Sequence, residues 1–348
     1  MNISDSQIIK LYIHYVGNKL NNEDCLISKR KIEIGEALTH KRLIEFYLTP
    51  FLKSYELYNF THNSSLKFNE LYSFAGSIFE DPSSISKISG DIAKQLYENS
   101  IHPKVVGGEM HVLYIKDIMH DNKLFDAIGI LKTETKINFL KLNSENNNYN
   151  IEFDEGINPA DGFDKGCLIL NNNKKEGYQV YIIDNQSRSQ EAQYWKDNFL
   201  GVKTATNEYN NTQNYMKICK DFVVNKITTD FEVTKTDQIN LLNKSINYFK
   251  ENENFVEKDF AKSVFEDPNV IKSFKQYKNE YLERTEIELE DDFEISSPAV
   301  KKQIRNFKSV LKLDRNFHIY IHGNKDLIEQ GVEKDGRKYY KIYYEKEV

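Results

Sequence analysis

A concentration of positive charge near the C-terminus is the first candidate for chemistry in this sequence. Residues 301 to 312 contain five basic side chains and no acid, although the whole chain carries a formal net charge of -6. Lysine and arginine side chains on one surface can contact nucleic-acid phosphates and release their condensed counterions. The stretch therefore predicts a phosphate-binding surface. Its residues are Lys301, Lys302, Arg305, Lys308 and Lys312, with Arg315 close behind in the sequence.

A helix with two distinct faces is predicted to carry these cations. Ser297 suits the N-cap and Pro298 suits the first helical turn. Apolar residues recur at i, i+4, i+7 and i+11, which places them on one helical face: Val300, Ile304, Phe307 and Leu311. The cations repeat this spacing one residue later, about 100° around the helix. The pattern predicts a continuous basic stripe beside a buried apolar face.

An ordinary solvated surface is the alternative interpretation of this helix. The cations would then pair with the acidic run just before them, which has seven acids and one arginine between Glu283 and Glu294. A strand is predicted after the helix, with Phe317, Ile319 and Ile321 facing inward. His318, Tyr320 and His322 would face outward. The two histidines would lie ~13 Å apart, so they could not share a metal ion.

A second constellation could support metal-dependent chemistry. Asp126, Glu134 and Lys136 form a D…ExK pattern, in which two carboxylates hold Mg²⁺ and the lysine steadies the attacking water or the phosphate charge. The same pattern arises easily by chance in a chain with 29% charged residues. A Mg²⁺-dependent nuclease is therefore the second interpretation. The common nucleotide-binding and hydrolase motifs are missing, and we predict no catalytic residue, metal site or cofactor.

The order of predicted elements indicates an α+β fold. The region up to residue 188 is predicted to be rich in strands, among them a hairpin around HDNK (120–123) and a strand at 149–154. Residues 143–150 are predicted to form a polar loop. These strands predict a mixed or antiparallel sheet with helices in a first domain, residues 1–188. The second domain, residues 189–348, is predicted to be mainly helical and to end in a small α/β piece with the basic helix and a β-hairpin.

Composition narrows the class of protein. The chain has 348 residues, of which 39% are hydrophobic and 13% aromatic, so it can bury a large core. No apolar run approaches the ~20 residues of a membrane span, and no signal peptide is recognisable. Three cysteines far apart favour a reducing compartment and argue against a disulfide framework. The negative net charge means that nucleic-acid binding would need a local basic patch.

Four stretches resemble the bacterial nucleoid-associated protein family, in the branch of Bacteroidetes-like organisms. They are KLFDAIGILKTETK (123–136), INPADGFDKGCLIL (157–170), EAQYWKDNFLGV (191–202) and the C-terminal FEISSPAVKKQIRNFKSVLKLDRNFHIYIHGN (293–324). YWKDNFLG is similar to a helix end of that family, with Asn198 as an insertion. The resemblance spans nearly the whole chain. It implies a cytoplasmic protein of the bacterial nucleoid and supplies no catalytic residues.

The favoured hypothesis is a non-catalytic nucleoid-associated protein. It would bind double-stranded DNA with weak sequence preference, because phosphate contacts carry no base information. A homodimer is the default expectation for its assembly, and no membrane partner is expected. A third interpretation is a protein-interaction module without nucleic-acid affinity, which would need a large apolar surface patch.

Overall fold

The computed structural model describes residues 1–145, 148–185, 194–285, 287–307, 310–321 and 327–346. The chain packs as two units, Met1–Ala205 and Thr206–Val348. The domain boundary predicted between residues 188 and 189 lies outside the described residues. No described helix has the length and apolar character needed to cross a membrane.

An eight-stranded antiparallel sheet forms the centre of the first unit. Its strands are β1 (Gln7–Val16), β2 (Cys25–Leu26), β3 (Leu57–Phe60), β4 (Gly108–His120), β5 (Lys123–Thr133), β8 (Lys165–Leu170), β9 (Gln179–Asp184) and β10 (Val202–Thr204). Their order across the sheet is β10-β3-β9-β8-β5-β4-β1-β2. The predicted hairpin around HDNK is confirmed as β4 and β5. Asp121 and Asn122 join them with positive φ angles of 46° and 59°, as a two-residue hairpin turn requires.

Helices cover both faces of this sheet. Alternate residues of β4 face opposite sides, so Met110 and Val112 enter one buried cluster while Leu113 and Ile115 enter another. The helices Glu70–Glu80 and Ile85–Asn99 pack on the first face, and Ala37–Leu52 packs on the second. A π-helical segment, Tyr194–Leu200, adds the buried Trp195 to the first cluster.

One hairpin of the first unit stands apart from the main sheet. Within the described ranges, strands β6 (Ile137–Glu145) and β7 (Asn148–Gly156) pair only with each other. Of the polar loop predicted at 143–150, residues 143–145 and 148–150 are therefore strand.

Helices dominate the second unit up to residue 304. They are Glu208–Asp221, Ile227–Asp230, Lys235–Glu251, Glu257–Phe265, Pro268–Thr285 and Ser297–Ile304, with a π-helical segment at Phe222–Lys226. Two short strands, β11 (Asn254–Val256) and β12 (Asp292–Glu294), pair across a core rich in aromatic rings. Two hairpins follow: β13 (Val310–Leu313) with β14 (Phe317–Tyr320), and β15 (Ile328–Val332) with β16 (Lys338–Ile342). The predicted α+β class is confirmed.

The basic helix is shorter than predicted. It ends at Ile304, where the amides of Asn306 and Phe307 donate to the carbonyls of residues 303 and 304 in a tightened last turn. Leu311 belongs to strand β13 instead. The prediction of one continuous helix through Leu311 was therefore wrong.

Candidate nucleic-acid interface

The Ser297–Ile304 helix is anchored on one side. Ala299 and Val300 are buried, and Val300 and Phe307 belong to the aromatic core of the second unit. At the helix start, the Ser296 amide donates to the Thr212 hydroxyl at 3.0 Å. These contacts fix which helix face remains open to solvent.

The open side of this helix carries cations. Lys301, Lys302 and Arg305 are exposed, and the Lys302 ammonium lies 5.8 Å from the centre of the Tyr209 ring. Within the described part of the chain, Lys301 and Arg305 form no ion pair. The alternative interpretation paired the cations with the acidic run before them. Two acids of that run are engaged elsewhere, since Asp291 accepts from Lys278 at 2.7 Å and Glu290 accepts from Asn211 at 2.8 Å.

The β13–β14 hairpin follows and adds polar groups. Ile319 and Ile321 pack inward with Leu311, as the alternation predicted, whereas Phe317 at the hairpin end is 63% exposed. His318 and Tyr320 are exposed. His322 lies outside the described residues.

The residues predicted to contact phosphates lie on several elements of the structure. Lys301 and Lys302 lie in the helix, Arg305 caps it, Lys312 lies in β13 opposite His318, and Arg315 is exposed in the hairpin turn. Lys308 lies outside the described residues. We call residues 296–321 the basic segment. It contains six lysines and arginines and one acid, Asp314.

The last hairpin offers cations that the sequence interpretation missed. Lys334 and Lys338 are exposed and have no ion pair among the residues described, whereas Arg337 pairs with Asp335 at 2.7 Å and Lys341 with Glu329 at 3.3 Å. The available signal was the alternation of basic and tyrosine residues in RKYYKIYY (337–344). Tyrosine rings beside cations are typical of surfaces that contact nucleic acids.

The D…ExK residues do not assemble into one site. Asp126 lies within β5 and Glu134 follows its end, so eight residues of extended chain separate them by ~26 Å. The Tyr114 hydroxyl donates to the Asp126 carboxylate, and Lys136 pairs with Glu109 at 2.7 Å. Two carboxylates this far apart cannot hold one Mg²⁺ ion. The interpretation of these three residues as a common metal site was wrong.

Glu134 instead belongs to a buried ionic cluster at the end of β5. Its carboxylate lies 3.0 Å from the ammonium of Lys132, which is fully buried and also donates to the Val106 carbonyl. Burial lowers the pKa of Lys132, and the charge of Glu134 opposes this shift. Nearby, Lys165 lies 3.5 Å from Asp184. In the described ranges, no group of three or more histidine, cysteine or acidic residues could hold a metal ion.

We expect that Mg²⁺ or Mn²⁺ will not support plasmid nicking through these residues, because they are too far apart to act together. The measurement compares wild-type protein with Asp126→Asn and Glu134→Gln in a nicking assay with each metal. Metal-dependent nicking that both substitutions abolish would contradict the separation described above.

Residues 13–337, nearly the whole chain, match the protein family described as Nucleoid-associated protein YejK. The matched range includes the basic segment. No curated protein matches the chain.

Proposed function

Because the chain belongs to the nucleoid-associated protein YejK family, we propose that it binds double-stranded DNA through phosphate contacts of the basic segment. The proposed role is non-catalytic and is carried out at the nucleoid, in the cytoplasm. The proposed contacts come from Lys301, Lys302, Arg305, Lys308, Lys312 and Arg315.

One observation carries this proposal: three cations of the basic segment are exposed and have no acidic partner among the described residues. Lys301, Arg305 and Arg315 are exposed and form no ion pair within the described ranges. Ordinary surface helices mix both charge signs, and their cations pair with acids three or four residues away. Asp314 is the one acid among residues 296–321. An acid-poor surface on a chain of charge -6 favours a localised polyanion partner.

The chemistry of such binding is electrostatic. Each cation that contacts a phosphate releases about 0.9 counterions from duplex DNA, which supplies most of the binding free energy at low salt. Contacts with phosphates position a protein but do not read bases, so we expect weak sequence preference. The acidic remainder of the surface would keep other faces of the protein away from DNA.

A homodimer is part of the proposal. Two copies of the basic segment on one particle would turn the second DNA contact into an intramolecular event and raise the apparent affinity.

A salt titration of DNA binding tests the proposed function. If four cations contact phosphates, log K should fall with log salt at a slope of about -3.6 per protomer, using ~0.9 per contact. The measurement is fluorescence anisotropy with duplexes of unrelated sequence, and an RNA duplex of equal length as comparison. Absence of DNA binding at low salt, or binding that salt does not weaken, would reject the proposal.

A further inference from the structure

The β6–β7 hairpin has one face made of large apolar side chains. Residues that oppose each other in an antiparallel pair share a face, and Leu140 opposes Phe153 while Leu142 opposes Ile151. Tyr149 continues the same face two positions from Ile151. These five side chains are between 50% and 79% exposed. We call them the apolar hairpin face.

The opposite face of the hairpin is polar beyond its base. There Lys141 opposes Glu152, and Asn143 opposes Asn150. Ile137 and Phe139 lie on this side at the base, where the Phe139 ring sits against Gly156. The ribbon is therefore amphipathic with a period of two, as in a strand pair that buries one side.

Nothing among the described residues buries the apolar hairpin face. None of the described residues of the hairpin belongs to the buried apolar clusters of the unit. An isolated two-stranded ribbon is at best marginally stable in water and usually needs a further layer. A contiguous apolar patch of this kind marks an interaction surface.

We infer that the apolar hairpin face binds the same face of a second copy of this chain. The five exposed side chains would bury on the order of 600 Å² per copy, close to the ~800 Å² per partner of a standard interface. Ribbons can stack face to face about 10 Å apart, and a two-fold axis between them makes one surface complementary to itself.

The position of the charges favours a second copy over other occupants. On this side of the ribbon the charged residue is Glu155, which opposes Asn138 at the base, so the apolar centre itself carries no charge, as in the cores of homodimer interfaces. Glu152 and Asp154 lie on the opposite face and would stay in water when two ribbons stack. Residues 137–156 contain four acids and one lysine, so DNA and anionic lipid would be repelled because of their own dense charge, whereas a second copy would bring its apolar side chains into contact and keep most of its acids in water.

This inference rests on the homodimer included in the proposed function and names its surface. The experiment is therefore carried out without DNA, so that the DNA-binding proposal and the dimer surface can fail separately. Sedimentation across a concentration series measures the mass of wild-type protein and two variants. The test variant is Leu142→Lys with Ile151→Lys. The matched control is Asn143→Lys with Asn150→Lys, which adds the same charge to the opposite face of the same strands.

We expect wild type and control to sediment at twice the 40.9 kDa of one chain, and the test variant at the mass of one chain. The substitutions should leave the thermal unfolding of the main sheet unchanged, because the hairpin contributes no residue to its cores. A variant that replaces residues 138–155 with a short glycine turn repeats the test if the lysine variant is insoluble, and it should be monomeric. Wild type that stays monomeric across the concentration series would overturn the inference. A dimer that persists in both the double-lysine variant and the glycine-turn variant would also overturn the inference.

Discussion

Replacing Lys301 and Arg305 with alanine is expected to weaken binding to double-stranded DNA about 60-fold at ~0.1 M salt. Two lost phosphate contacts remove about 1.8 from the slope of log K against log salt. With the affinity at 1 M salt unchanged, that slope change lowers log K by about 1.8 at ~0.1 M. Neither side chain contributes to the buried core, so the fold should be retained.

The matched control for this prediction is Lys258→Ala with Lys262→Ala. Both lysines are exposed on the Glu257–Phe265 helix of the same unit, so the control removes the same charge. Its DNA affinity should change much less, because the exposed acid Asp259 shares the surface of that helix. Equal weakening by both pairs would mean that net charge governs binding. Unchanged affinity and slope in the Lys301 and Arg305 variant would remove the basic segment from the binding site.

The start of the basic segment could be predicted from sequence, but its end could not. Val300 and Phe307 are buried as the helical spacing predicted, because local periodicity decides which face packs. Leu311 fits both a helical repeat and the two-residue alternation with Leu313. The choice depends on pairing with residues 317–320, which the turn at Asp314 permits through its positive φ of 50°. This pairing depends on residues outside 310–313, so the sequence of that strand alone does not reveal it.

The hairpins also differ in how far the sequence predicted them. The β4–β5 turn was predictable because Asp and Asn tolerate the left-handed conformation that a two-residue turn needs. The β6–β7 strands were partly hidden, since Asn143 and Asn150 suggested a loop although they oppose each other in the ribbon. The D…ExK interpretation neglected the length of β5. It also missed Lys132 as the partner of Glu134, because sequence gives no signal for a buried ammonium.

Removing one member of the buried pair of Lys132 and Glu134 should strongly destabilise the first unit. Glu134→Gln preserves the size of the side chain but leaves the Lys132 ammonium without its counter-charge. Breaking a buried ion pair on one side costs about 3 kcal/mol or more in the free energy of unfolding. The measurement is urea unfolding followed by the fluorescence of Trp195, the single tryptophan, which is buried in the same unit.

The pH dependence of the stability of Glu134→Gln distinguishes an unpaired Lys132 charge from a loss of packing. Without Glu134, the pKa of Lys132 in the folded protein should fall further below its unfolded value of about 10.4. The folded variant then binds fewer protons than the unfolded chain, so its stability rises with pH in the window between those two pKa values. The deficit against wild type should therefore shrink as the pH rises from the folded pKa of Lys132 in the variant to its folded pKa in wild type. Lys132→Met combined with Glu134→Gln removes both charges and should destabilise less than Glu134→Gln alone. As a surface control, Glu98→Gln removes the exposed partner of Lys19 and should change stability little. If the deficit of Glu134→Gln is absent or independent of pH, the pair does not carry the stability assigned to it.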